Sequence, residues 1–416
     1  MLHLCVWQVR LYFDGVKIGT KEGSAHAGYS QTGNPFVLCC YAPDPLCISR
    51  RNDCLQPSEL STFRQSLLQW YHSTARDLPW RRTRDPYRIW LSEIMLQQTR
   101  VAAVIDYYNR FLEELPTVGT LAAAELQTVL KLWEGLGYYR RSRLLHKAAG
   151  VIVEEHSGQF PQTFESLKQL PGIGDYTAAA IASIAFGEPV AVVDGNVKRV
   201  IARLKQYNKP VNTNAGYKDL KNIADHLLEQ ESPGDWNQAV MELGARICRP
   251  KRPLCESCPA HQNCEAYREN RTSAYPIIKK KEAVPHKTGV AILQRFGDSV
   301  LFTRRGEDEM LGGLWEFPIR LLKEEETLRD AVRRLAQAYD LPVPRSSEPI
   351  AVIAHEYTHF KLTIYLFEGN EARELSSLPS DTHRLLPLHQ SGELPMHRAQ
   401  HKLMEALQNT QQALKF

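Results

Sequence analysis

Cys248, Cys255, Cys258 and Cys264 follow one another as C-x6-C-x2-C-x5-C in a short, proline-rich segment with too few apolar residues to build a core of its own. Four thiolates at that spacing hold a metal centre, and both tetrahedral zinc and an iron–sulfur cluster use four of them. The spacing is uneven and lacks the paired C-x2-C of zinc ribbons, which favours a [4Fe-4S] cluster. The other cysteines, Cys5, Cys39, Cys40, Cys47 and Cys54, are scattered without pattern and receive no role. Nine cysteines in 416 residues do not make a disulfide scaffold.

A second chemical signal runs from Leu170 to Arg199, where LPGIGDYT is followed by Asp194 in VVDGNVKR. Gly172 and Gly174 are expected to permit backbone angles that a side chain forbids, and Pro171 stiffens the approach. A helix beginning near Asp175 then points unpaired N–H groups outward, a site that suits a phosphate. A plain glycine-rich turn between packed helices reads the same way. Asp194 reads equally as the N-cap of GNVKRVIARL. Upstream, Asp85 and Pro86 suit the N-cap and first position of a helix through YRIWLSEIMLQQ. Glu93 lies on that helix, flanking an apolar stripe of Tyr87, Trp90, Leu91, Ile94 and Met95, and periodicity leaves its burial open.

The elements that must position these groups divide the chain. Residues 1–57 form an extension of unknown role with no strong pattern, and residues 58–270 have helical apolar spacing throughout, punctuated by Pro and Gly. Residues 271–287, which include KKKEAVPHK, read as a basic linker. Residues 288–408 form an α+β domain, with strands GVAILQ and SVLFTRR joined by Phe296-Gly297-Asp298, a helix over Glu324–Tyr339, and strands AVIAH and LTIYLF; residues 409–416 are a tail. The composition, 43% hydrophobic and 24% charged, is that of a globular protein. A net charge of +4 from 51 basic and 47 acidic residues means that a nucleic acid must be gripped by local patches. No apolar run approaches bilayer length and no signal peptide is evident, so no membrane partner is expected. A cytoplasmic protein is expected, at the nucleoid in a bacterium or nuclear or mitochondrial in a eukaryote.

LPWRRTRDPYRIWLSEIMLQQTRV, GLGYYRRSRLLHKAA, LPGIGDYTAAA, VVDGNVKR, WNQAVMELGA and the four-cysteine segment occur in the order seen in adenine DNA glycosylases of the MutY type, which the chain closely resembles from Leu78 to Cys264. The resemblance implies a multidomain fold: an all-α helix-hairpin-helix glycosylase domain with a [4Fe-4S] loop at 248–264, then an α+β Nudix-like domain. It implies double-stranded DNA with adenine opposite 8-oxoguanine or G as substrate, and a monomer is expected. Glu93 would protonate a flipped-out adenine, and Asp194 would stabilise the positive deoxyribosyl centre, positioned by Asn196. Tyr176 stands where endonuclease III-like relatives carry a Schiff-base lysine, which implies base excision without strand cleavage.

The same resemblance places Trp80, Arg81, Leu96, Val101, Gln238 and Met241 around the adenine, although Leu96, Val101 and Met241 also suit ordinary core packing. Tyr138 would wedge into the base stack with help from Gln98, and Thr99 and Leu136 would lie near the opposing base. Gly172, Gly174 and Lys198 would face the DNA backbone, together with basic residues Arg140, Arg141, Arg143, Lys147 and Arg199. In the C-terminal domain, LGGLWEFP and HEYTHFKL match the part that reads 8-oxoguanine. There Tyr357, Thr358 and His359 replace the family's common Phe-Ser-His, and the extra methyl of Thr358 puts fine discrimination in doubt. Gln337 and Ala338 stand where a Nudix hydrolase needs metal-binding glutamates. Two alternatives accompany this reading: a bifunctional endonuclease III-like glycosylase/lyase, and a catalytically silent iron–sulfur DNA-binding protein, the latter suggested by departures such as Ala179 in place of glycine.

Overall fold

The computed structural model describes residues 56–280, 283–370 and 381–413, with Tyr12–Phe13 and Val16–Lys17. Those last two segments, β1 and β2, pair as an antiparallel hairpin in a unit spanning Met1–Asp53. The rest of the N-terminal extension and the end of the tail lie outside the described residues.

The second unit, Cys54–Phe416, begins with helices. These are α1 (Pro57–Thr74), α2 (Pro86–Leu96), α3 (Val101–Glu114), α4 (Val118–Ala123), α5 (Leu126–Leu132), α6 (Arg140–His156), α7 (Phe164–Leu167), α8 (Asp175–Phe186), α9 (Gly195–Leu204), α10 (Asn214–Leu227), α11 (Pro233–Arg246) and α12 (Glu265–Arg268). Local sequence explains their starts. Asp85 caps α2 by accepting from the N–H groups of Tyr87 and Arg88, with Pro86 at the first position. Thr117, Thr163 and Thr213 cap α4, α7 and α10 in the same manner.

Helix α8 is the axis of this half. Its residues Thr177–Ile184 are all buried, and four of them are alanines, so α2 and α11 approach it closely. Ala179 sits fully inside this core, accepting a hydrogen bond from Ser183 Oγ at 2.6 Å. Gly244 on α11 lets that helix touch the start of α9, since a Cβ there would fall 2.6 Å from Asn196 Cβ. The packing of α2, α8, α9 and α11 brings Glu93, Tyr176 and Met241 into contact, with Asp194 near enough for its charge to act on Glu93.

The connection after α12 is less free than its composition implies. Tyr275 is buried, Val211 N–H donates to Ile277 O at 3.0 Å, and Asn212 pairs with the backbone of Lys279 at 2.9 Å in both directions. The first part of the expected linker is therefore laid along the helical domain.

The C-terminal domain contains β3 (His286–Leu293), β4 (Arg295–Phe296), β5 (Ser299–Arg304), β6 (Trp315–Glu316), β7 (Ile319–Leu321), α13 (Leu328–Ala338), β8 (Ala351–Glu356), β9 (Lys361–Glu368), β10 (His383–Pro387) and α14 (Arg398–Ala413). One sheet has the order β7-β3-β9-β8, with β3 and β9 parallel and the other pairs antiparallel; the second has β10-β5-β4, with β6 also on β5. Period-two alternation sends Val290 and Ile292 to a core with α13, and Ala291 and Leu293 to a core with α14. Helix α13 starts four residues later than its sequence pattern suggests, because Thr327 caps it at Asp330 N–H.

Candidate active site

Glu93 is only 5% exposed, although it carries a charge-bearing group. The Tyr176 hydroxyl donates to Glu93 Oε2 and lies 3.7 Å from Met241 Sδ. Burial pushes the Glu93 carboxyl up to about 7, and the negative charge of Asp194 adds to this. The Tyr176 hydrogen bond and the Arg81 charge pull the other way and are outweighed. Burial likewise drives the Tyr176 phenol well above its usual range.

Asp194 is the N-cap of α9, its Oδ1 accepting Val197 N–H at 2.6 Å, while Oδ2 accepts Asn196 Nδ2 at 2.9 Å. Burial raises its carboxyl too, opposed by these bonds and by the Arg199 charge. A carboxyl raised to about 7 beside a hydrogen-bonded second acid is the arrangement required of an acid catalyst with an electrostatic partner.

Of the expected pocket residues, Met241 touches Tyr176 and the Arg81 charge acts on Glu93. Leu96, Val101, Met241 and Tyr176 are partly buried side chains packed against the helical core, so they border the core rather than fill it. Trp80 is buried, edge-on to Tyr108 at 5.4 Å between centroids. Gln238 and Arg81 line a cavity of about 150 Å³ with Arg84, Ser183 and Asp235. Sequence reasoning missed what holds Arg81. Glu242, fully buried, accepts Arg81 Nη2 at 2.8 Å and both Arg76 Nε and Nη2, at 2.8 and 2.6 Å. The signal was present: Gln238 and Glu242 are four apart on α11 and share a face.

Of the expected DNA-facing residues, Tyr138, Arg140, Arg141, Gly172 and Gly174 border a groove of about 570 Å³, together with Lys168 and Pro171. Tyr138 is 39% exposed, Gln98 is exposed, and both are non-glycine residues with left-handed backbones, φ 49° and 59°. Gly172 has φ 77°, and a Cβ there would fall 2.7 Å from Leu144 Cβ, so the fold itself demands glycine. Gly174 differs from expectation. Its φ of −95° and ψ of 179° suit any residue, and a Cβ would meet nothing within 4 Å. Lys198 is half-buried with its Nζ 5.1 Å above the Tyr217 ring.

Three of the expected phosphate contacts are otherwise engaged. Arg141 is an internal tie: Nη1 donates to Ile94 O, Met95 O and Gln97 O at 2.6, 3.1 and 2.8 Å, and Nη2 to Leu136 O and Gly137 O at 3.3 and 3.1 Å. Thr99 Oγ1 lies at 3.5 Å from the same Nη2, and Leu136 is buried beneath. Arg143 Nη1 donates to Glu307 O in the C-terminal domain. Arg199 is buried against Cys248 O, Asn196 Oδ1 and Gly244 O. Burial by tertiary contact, invisible in a basic stretch, redirects these guanidiniums inward.

All four candidate metal ligands, Cys248, Cys255, Cys258 and Cys264, are half-buried free thiols. Arg203 Nη1 reaches Cys248 Sγ at 3.3 Å, and Arg203 also binds Arg249 O and Pro250 O, so a cation faces the sulfurs. Burial pushes the Cys258 and Cys264 thiols up to about 12 and 11, with the neighbouring cysteine charges contributing. Among the described residues no three His, Cys, Asp or Glu side chains converge where a single ion could sit. The donor set is four cysteine sulfurs with an arginine beside them, a chemistry that both zinc and an iron–sulfur cluster accept.

Tyr357, Thr358 and His359 form the turn between β8 and β9, apart from the acid pair. Tyr357 N–H donates to Phe360 O at 2.9 Å, its ring lies edge-on to His355 and tilted against Phe360, and Thr358 and His359 are exposed. The end of α13 carries the neutral Gln337 and Ala338.

Comparison with known proteins follows these halves. The HhH-GPD superfamily of base excision DNA repair proteins matches residues 91–228, and the NUDIX domain family matches residues 289–406. An adenine DNA glycosylase of Homo sapiens is 36% identical over 366 residues, covering 74% of this chain and 67% of the relative. That of Mus musculus is 36% identical over 389 residues, covering 78% and 76%. That of Buchnera aphidicola is 34% identical over 310 residues, covering 73% and 86%.

Proposed function

The chain belongs to the adenine DNA glycosylase family, and from that premise we propose that it hydrolyses the N-glycosidic bond of adenine mispaired with 8-oxoguanine or G in duplex DNA, leaving an abasic site in an intact strand. The observation that carries this reading is a carboxyl, Glu93, kept neutral by burial and bonded to a tyrosine rather than a lysine.

Adenine leaves poorly as an anion, so its ring nitrogen N7 must be protonated before the bond breaks. Glu93, protonated in good part up to about pH 7, supplies that proton. Asp194, bonded by Val197 N–H and Asn196, stabilises the developing positive charge on the sugar. The Glu93 carboxylate then takes a proton from the attacking water. Trp80, Leu96, Val101 and Met241 exclude bulk water, and Arg81 and Gln238 offer donors to the base edge. Tyr138 and Gln98 enter the base stack, Thr99 and Leu136 support them, and Gly172, Gly174 and Lys198 meet the backbone. Tyr357, Thr358 and His359 read the opposing base.

Cys248, Cys255, Cys258 and Cys264 hold a [4Fe-4S] cluster, which supplies a structural centre that keeps the 248–264 loop folded. Arg199 and Arg203 tie that loop to α9 and hence to Asp194. A brown protein with broad visible absorption is expected, and a colourless zinc protein would contradict this assignment.

The decisive assay measures adenine release and strand scission on a duplex with A opposite 8-oxoguanine. Wild type should release base without nicking, Glu93→Gln should not, and Asp194→Asn should be severely impaired. Equal rates in all three would reject the mechanism. Efficient borohydride trapping through a pocket lysine would replace it with the lyase reading.

A further inference from the structure

The segment Gly135–Tyr138 is held in an unusual backbone: Gly135, Gly137 and Tyr138 have φ of 97°, 73° and 49°. A conformation of this kind persists only where its surroundings fix it. The residues at its two ends, Glu134 and Tyr139, both bind one residue of the C-terminal domain. Glu134 Oε1 accepts Met396 N–H at 2.9 Å, and the Tyr139 hydroxyl donates to Met396 O at 2.8 Å. Both backbone polar groups of Met396 are therefore taken by side chains that bracket Tyr138. His401 Nε2 lies 2.9 Å from the same Glu134 oxygen, and Lys131 Nζ binds the other.

Met396 is 1% exposed and shares the C-terminal core with Trp315. It leads directly into α14, which packs on β8 and bonds it through Lys402 Nζ to Ala354 O at 2.7 Å. Strand β8 runs into Tyr357–His359. A continuous set of contacts thus joins the turn assigned to the opposing base with the tyrosine assigned to the stack.

We propose that Glu134 and Tyr139 are specificity-determining positioning residues: through Met396 they make the placement of Tyr138 depend on the seating of the C-terminal domain, so that adenine release responds to the base opposite. Neither residue touches substrate. This inference rests on the proposed function, because it concerns the substrate preference of that same site.

The test compares single-turnover adenine release from duplexes with A opposite 8-oxoguanine and A opposite G, in full-length wild type, Tyr139→Phe, Glu134→Ala and Glu134→Gln, with Tm measured for each. Tyr139→Phe removes one oxygen and keeps the packed ring, so the preference for the 8-oxoguanine duplex should fall about threefold to tenfold, the size of one lost hydrogen bond. Glu134→Ala should do the same, whereas Glu134→Gln, which still accepts from Met396 N–H, should stand closer to wild type. An unchanged preference in Tyr139→Phe and Glu134→Ala, or rates that fall equally on both duplexes, would overturn the proposal. Wild type that releases adenine from neither duplex would overturn the functional reading and this inference with it.

Discussion

Glu93 is useful in the proposed reaction only while it is protonated, so its surroundings set a pH limit. Burial raises its carboxyl to about 7, and the rate of base release should fall as pH rises past that value. Tyr176 opposes the shift by donating to the carboxylate. Tyr176→Phe should therefore raise the Glu93 value further and move the alkaline limb of the single-turnover pH profile to higher pH; a limb that stays in place or moves to lower pH would show that the bond does not govern the acid. The same shift bears on stability. The neutral buried carboxyl stabilises the fold fully below its ordinary 4.5, and that contribution is lost as pH rises through about 7. Glu242 is the opposite case, held down to about 2 by Arg76 and Arg81, with its contribution present above 4.5 and lost toward pH 2. Glu242→Ala would leave Arg76 and Arg81 without their hydrogen-bonded partner and remove the carboxylate that Arg246 faces at 3.8 Å. A loss of about 3 kcal/mol is expected, at the low end for a buried pair because Arg76 still reaches water, and denaturant unfolding at pH 7 would measure it.

The hairpin before α8 separates two kinds of glycine. Gly172→Ala would place a side chain in the left-handed region and against Leu144, costing roughly 1–2 kcal/mol for the backbone alone and lowering Tm. Gly174→Ala faces open space at an ordinary φ, so Tm should hold while affinity for duplex DNA falls, because a methyl group would obstruct an approaching phosphate. Wild-type DNA affinity in Gly174→Ala would remove this turn from the proposed interface. These elements also mark what can be read from a chain. Asp85-Pro86 and the α2 stripe are local signals, and they place Glu93 correctly on its helix; the burial of Glu93 depends on α8 and α11, distant in sequence, and no periodicity reports it. The turn LPGIGDYT is recognisable as glycine-dependent, but only the contact with Leu144 shows which glycine the fold requires. Arg141 and Arg199 fail for a related reason. A guanidinium has the same sequence signature whether it meets phosphate or the carbonyls at the end of α2, and only tertiary packing decides between them.

At the scale of the whole molecule, adjacent residues join the two functional halves. Leu314 is fully buried in the core of the helical domain, while Trp315 is buried in the C-terminal core and donates its Nε1–H to Gln127 Oε1 at 2.8 Å. Gln127 Nε2 in turn donates to Gly313 O at 2.9 Å. Nothing in LGGLWEFP distinguishes a leucine that completes a remote core from one that packs locally, so this joint was legible only once the fold was known. Its thermodynamic consequence is specific. Two domains connected by a chain alone unfold independently, whereas domains sharing a buried side chain lose stability together when either opens. Because Leu314 and the Trp315–Gln127 bond bind the two halves of Cys54–Phe416 together, thermal unfolding of the intact protein should show these halves melting in a single transition. Leu314→Ala leaves a cavity at the joint and should cost about 2–5 kcal/mol. Calorimetry should then show a lower Tm for the helical part and a separate, later transition for the C-terminal domain. Two well-resolved transitions already present in wild type would mean that Leu314 fills space without coupling the halves.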